Sequence, residues 1–131
     1  MKVLQISTVC GSGSVGRITV DIYHTLKSCG DEGLIAYGRR QAPEGVEAFR
    51  FGSDLDMGFH VLSTFFRGEH GFASTGQTRK LIEKIREWDP DVIHLHNIHG
   101  FILQVEELFS YLKQAGKPVV WTLHDCWPYT G

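Results

Sequence analysis

The chain is 131 residues long, a length that suits one domain and not two. Its 42% hydrophobic and 21% charged residues are those of an ordinary globular chain able to bury one layered core. Thirteen basic against fifteen acidic residues leave a formal charge of −2, which excludes a broad field for gathering nucleic acid or anionic lipid.

Val3-Leu4-Gln5-Ile6-Ser7-Thr8 reads as a buried strand over residues 2–8, and Cys10 to Arg17 form the glycine-rich turn after it. Val15, Ile18, Ile22 and Leu26 then recur at helical spacing. Ser14 is the expected N-cap of that helix, and Gly30 is suited to the position just past its end. Residues 33–38 read as a second strand, 39–47 as a loop containing Pro43 and Gly45, and 48–51 as a short third strand. Leu55, Phe59, Leu62 and Phe66 fit one helical face weakened by Gly58, and His70-Gly71-Phe72-Ala73 is a break. Ser74-Thr75-Gly76-Gln77 has capping-box form. It predicts a helix that turns Leu81, Ile82, Ile85 and Trp88 inward and stops before Pro90. Residues 91–96 return to strand. Ile102, Val105, Leu108, Phe109 and Leu112 make another helical face closed by Gly116, and 118–123 form the last strand. This alternation predicts an α/β fold, a mainly parallel sheet with helices on both faces.

The first strand is too short for a signal-peptide core, and no apolar run reaches the roughly 18 residues of a membrane span. Cys10, Cys29 and Cys126 are widely spaced with no CxxC pair, which points to reduced thiols and a cytoplasmic setting. Peripheral attachment at the inner face of the plasma membrane stays compatible with this composition.

Polar residues gather where the apolar strands end. Parallel neighbours would bring those ends to one rim, where open α/β sheets bind ligands. Gly11, Gly13 and Gly16 suit a turn whose N–H groups, with the helix N-terminus, face a phosphate. Ser12 and Ser14 could add hydroxyls, and Arg17 charge. A plain strand-to-helix turn is the alternative. A dinucleotide site would want an acid after the second strand, where Tyr37-Gly38-Arg39-Arg40 stands; its arginines suit only a 2′-phosphate.

His94 and His96 share a strand face. His94 lies deeper and reads as a core histidine. His96 is at the rim, structural or ligand-facing, beside Asn97, His99 and Gly100. His124 ends the last strand, and its imidazole can accept from a sugar hydroxyl or, protonated, stabilise negative charge. Asp125 could orient a neighbour, and Cys126 reads as a small buried side chain. Trp127 and Tyr129 suit either an aromatic wall or loop packing. Two other classes stay open. A zinc-dependent hydrolase would use His94, His96, His99 and His124 with Asp125 or Cys126, although their spacing is no metal signature. A noncatalytic nucleotide- or sugar-binding or partner-interaction module would bind without turnover.

The stretches Asp91 to Gly100 and Pro118 to Gly131, the latter carrying His124-Asp125-Cys126-Trp127-Pro128, closely resemble the N-terminal domain of family 4 glycosyltransferases. The similar subgroup is linked to bacterial capsule, O-antigen or exopolysaccharide synthesis. Gly13 to Arg17 and His70-Gly71-Phe72 fit it as well, so the resemblance spans nearly the whole chain. It implies the incomplete N-terminal half of a GT-B fold built from Rossmann-like domains. It also implies retaining transfer from a nucleotide-sugar co-substrate to a saccharide or lipid-linked acceptor, with no metal and no other cofactor. His124 would then be catalytic, beside the transferred sugar or its leaving phosphate. Gly13, Ser14, Gly16 and Arg17 would approach the donor phosphates, and His96, Asn97, His99, Gly100, Asp125 and Trp127 would line the acceptor rim. The chain's main partner would be its own missing C-terminal donor-binding domain. The expectation is a domain truncated at its C-terminal end and inactive alone.

Overall fold

Five strands form one sheet in the order β3-β2-β1-β4-β5, with every pairing parallel. The computed structural model describes residues 1–52, 72–99, 103–126 and 128. The expected face from Leu55 to Phe66, the His70-Gly71 break, Gly100, Ile102, Trp127 and Tyr129 lie outside these described residues. In chain order the elements are β1 (Lys2–Val9), α1 (Gly13–Ser28), β2 (Glu32–Arg39), β3 (Ala48–Arg50), α2 (Phe72–Trp88), β4 (Val92–Leu95), α3 (Val105–Ala115) and β5 (Val119–Trp121).

Strand alternation divides the core into two layers. Leu4 and Ile6 of β1, Leu34 and Ala36 of β2, and Ile93 and Leu95 of β4 pack with Leu81 and Ile85 of α2 and with Leu108 and Leu112 of α3. On the opposite face Ile35 and Tyr37 of β2 pack with Tyr23 and Val20 of α1. The expected parallel sheet flanked by helices on both faces is therefore present. Each of these fully buried Leu and Ile side chains contributes about 1.5–3 kcal/mol through removal of apolar surface from water.

Helix ends follow local chemistry, with two corrections. At the end of α1 the Asp31 N–H donates to Leu26 O and the Gly30 N–H to Lys27 O, with Gly30 at φ 81°. That is the Schellman arrangement expected of Gly30. Gly116, at φ 63°, closes α3 as predicted. The start of α1 lies earlier than expected: Ser12 is the N-cap and Ser14 is already helical. Gly13 can begin the helix because glycine carries no Cβ to oppose its φ of 68°. Likewise α2 begins at Phe72, so Ser74 to Gln77 lie inside it and do not mark its start. The N-cap of α3 is Gln104, whose side chain accepts from the Glu107 N–H at 3.1 Å.

β1 sits at the middle of the sheet. From it the chain passes through α1 to β2 on one side, while β4 lies on the other. The segments leaving β1 and β4 thus diverge to opposite faces, which opens a crevice at the strands' C-terminal ends.

Candidate functional site at the strand switch point

The crevice is pinned at its base. The Thr8 N–H and hydroxyl both donate to Asn97 O at 2.8 Å, holding the end of β1 to the end of β4. Above this base is a cleft of about 280 Å³ lined by Thr8, Val9, Ser12, Gly13, Ser14, Val15, Arg39, Asn97 and His99. Its floor includes the first turn of α1. Ser12 has extended φ and ψ and makes no side-chain cap. The first N–H groups of a helix have no intrahelical partner and carry the positive end of the helix dipole.

The three glycines of the turn differ in use. Gly11 and Gly13 have φ of 71° and 68°. The Gly11 N–H is not turned toward the cleft; it donates to Gly16 O at 2.8 Å. Gly16 is buried, and a Cβ on it would stand 3.0 Å from Gly11 N and 3.2 Å from Val9 Cγ2. Its missing side chain lets the helix pack under the turn, and Gly16 is not among the residues lining the cleft. Arg17 is exposed on α1 and does not line the cleft. Arg39 does line it. Arg40, at φ 67°, donates from Nη1 to Ser12 Oγ at 2.7 Å.

A chain of polar side chains lies on the α1 face of the sheet. His94 and His96 share that face with Gln5 of the neighbouring β1. The order of burial is the reverse of the one their strand positions suggested. His96 is only 1% exposed, whereas His94 is half-buried. The reason is the strand's surroundings: Gln5 of β1 and His124 pack against the His96 ring, while β5 is a three-residue edge strand whose Val120 is exposed. His96 is held at four points. Its N–H donates to Ile6 O at 2.9 Å, and its carbonyl accepts from Trp121 Nε1 at 3.1 Å. Its Nε2 is 3.1 Å from Gln5 Oε1, and its Nδ1 is 3.0 Å from His124 Nε2. Burial, followed by the neighbouring His94 and His124, pushes its pKa down to about 3. The His94 ring is 4.1 Å from His96, and its Nε2 is 2.8 Å from Thr122 Oγ1. Burial and His124 also lower its pKa.

His124 is thus brought to the rim by a direct bond to His96. Asp125 accepts from His99 Nε2 at 2.7 Å, joining the loop after β5 to the loop after β4. Asn97, His99, His124 and Asp125 come together with Pro128 beside the main cleft. Cys126 is exposed, contrary to the expectation of a buried side chain. Cys10 is buried, and desolvation raises its thiol pKa to about 11, which makes it a poor nucleophile. Among the described residues no group of three or more His, Cys, Asp and Glu is placed to hold a metal ion. Likewise no described helix is long and apolar enough to cross a membrane. Sequence reasoning missed Gln5, Thr19 and the place of Arg39 on the cleft wall. An amide inside the apolar run Val3-Leu4-Gln5-Ile6 was the available signal for the first.

The family model described as Glycosyltransferase Family 4 matches residues 15–131. The fold is similar to SsfS6, a glycosyltransferase of Streptomyces sp. SF2575. The TM-score is 0.60 at 16% identity, covering 94% of this chain and 39% of that one. This chain therefore spans well under half the length of that structure. No curated protein matches the chain.

Proposed function

Since the chain belongs to glycosyltransferase family 4, we propose that it is the N-terminal, acceptor-side part of a retaining GT-B glycosyltransferase. In this reading it moves a sugar from a nucleotide-sugar donor to a saccharide or lipid-linked acceptor. A second Rossmann-like domain outside these residues holds most of the donor. The observation that carries the reading is the cleft at the β1–β4 switch point. It sets the first turn of α1 and Arg39 on one side and Asn97 and His99 on the other, with His124 on the adjoining rim.

The donor diphosphate approaches Ser12 to Val15, where the first turn of α1 and the helix dipole favour negative charge. Of the residues expected there, Gly13 and Ser14 line the cleft and keep this role. Gly16 supports the turn from beneath, and the charge expected of Arg17 falls to Arg39. His124 contacts the transferred sugar. Retaining transfer develops oxocarbenium character at the sugar and negative charge on the leaving phosphate, and a fixed imidazole orients or stabilises these groups. Asn97, His99 and Asp125 shape the acceptor rim, with Gly100 and Trp127 assigned to the same rim from sequence. The nucleotide-sugar is a co-substrate, and no metal or other cofactor enters the reaction.

Titration of the 15N-labelled chain with nucleoside diphosphates tests the phosphate assignment. Saturable shifts confined to the amides of residues 12–15 are the expected result. Shifts centred elsewhere, or none at millimolar ligand, would remove it.

A further inference from the structure

We propose that Gln5 and His96 act as positioning residues that lock His124 in one tautomer, with hydrogen on Nε2 and a bare Nδ1 that accepts a hydroxyl hydrogen. The inference rests on the reading of His124 as a sugar contact but can fail separately from it.

Thr19 O is a carbonyl and can only accept, and Gln5 Nε2 lies 3.0 Å from it in a buried contact. The amide nitrogen must therefore face Thr19, because the flipped amide would set two oxygens against each other. Gln5 is fully buried, so water does not offer the flipped amide an alternative partner. With that orientation Gln5 Oε1 faces His96 Nε2 at 3.1 Å. Oε1 can only accept, so His96 carries its hydrogen on Nε2. A neutral imidazole has one N–H, which leaves His96 Nδ1 as an acceptor. Its near-complete burial disfavours the charged form that would make both nitrogens donors. His96 Nδ1 is 3.0 Å from His124 Nε2, and the two ring planes are only 20° apart. His124 Nε2 must then be the donor. Among the described residues no hydrogen bond to His124 Nδ1 is found.

The chain of constraint runs from α1 through β1 and β4 to the residue after β5. The first two links each end on an oxygen that can only accept, and the third is directed by the single N–H of a neutral His96, so no link can reverse without leaving a buried polar group unpaired. The consequence concerns selectivity. A neutral His124 can accept from a sugar hydroxyl but cannot donate through Nδ1 to a phosphate oxygen. It gains that donor only on protonation, and Nε2 still donates to His96.

Long-range 1H–15N correlation of the ring-labelled chain at neutral pH reads the tautomers directly. The expected result is Nε2–H with bare Nδ1 for both His96 and His124. A dominant Nδ1–H form at either ring overturns the proposal, and this needs no variant. Gln5→Met, which keeps side-chain length but removes both amide partners, should release His96 and His124 together into mixed tautomers. A folded Gln5→Met chain with unchanged tautomers would also overturn it. Addition of a nucleotide-sugar donor separates the two readings. The expected change is confined to His124 Nδ1. At donor concentrations that shift the amides of residues 12–15, correct tautomers with no change at His124 would leave the lock standing and count against the sugar contact.

Discussion

A histidine buried to 1% exposure and kept neutral ties stability to pH. The unfolded chain binds this proton near pH 6.5, while the folded chain binds it only near about 3. Between those values the unfolded state holds more protons, so stability rises with pH. The contribution is complete above about 6.5 and is lost as pH falls toward 3, by up to about 1.4 kcal/mol per pH unit. His94 acts in the same direction. Urea unfolding at about pH 7 and about pH 5 should show a lower midpoint at the acid end. The difference should shrink in His96→Asn; an unchanged pH dependence in that variant would refute the assignment. His124 makes the opposite kind of prediction. Half-buried at the rim, it should tolerate His124→Ala with the fold kept, at a cost of about 1–3 kcal/mol for the His96 Nδ1 left without its partner. In an active two-domain enzyme the change should reduce kcat/KM at least tenfold, about 1.4 kcal/mol of transition-state stabilisation. Near-normal kcat/KM, corrected for folded fraction, would move the sugar contact to Asn97 or His99.

The glycine turn and the helix ends carry predictions of a different size. Gly16→Ala should destabilise the chain by about 1–3 kcal/mol, because its methyl group meets the Gly11 backbone, which cannot swing away like a side chain. Gly13→Ala meets no atom, so only its left-handed φ is strained, and about 1 kcal/mol is expected. Thermal unfolding of the two variants, paired with nucleotide titration, separates support of the turn from ligand contact. Gly16→Ala should lose stability more than Gly13→Ala. Equal losses would show that packing under the turn is not the constraint. At the level of elements the sequence was informative. Five strands and the helical faces of α1, α2 and α3 were marked by apolar period, by Gly30 and Gly116, and by Pro90. The starts of α1 and α2 were less legible. Ser12 and Ser14 offer equivalent caps for α1, and backbone geometry chooses between them, while α2 starts two residues before the Ser74 cap that local pattern favoured.

On the scale of the molecule, the sheet is one wall of the proposed reaction site. This chain spans 39% of SsfS6 while matching it over 94% of its own length. If the proposed division of labour holds, with most of the donor held by a second domain, these 131 residues alone should bind nucleotide weakly and release no glycosylated product. Incubation with nucleotide sugars and saccharide or lipid-linked acceptors checks this. Turnover at ordinary enzymatic rates would show that the proposed division of labour is wrong.

Local pattern alone determined that strands and helices alternate, that the strands run parallel, and that polar residues follow the strand ends. Each of these depends on neighbours in sequence: side-chain period, turn chemistry and helix punctuation. The histidine assignments depended on something else. Sequence position put His94 deep and His96 at the rim, because distance along a strand was the only measure of depth. Depth in a sheet is set by what lies above and beside the strand, and only the order β3-β2-β1-β4-β5 puts His96 against Gln5 and leaves His94 toward a short edge. Ninety-one residues separate Gln5 from His96, and twenty-eight separate His96 from His124. No local signal spans such intervals, so the direction of the hydrogen bonds that orient His124 was decided by tertiary packing.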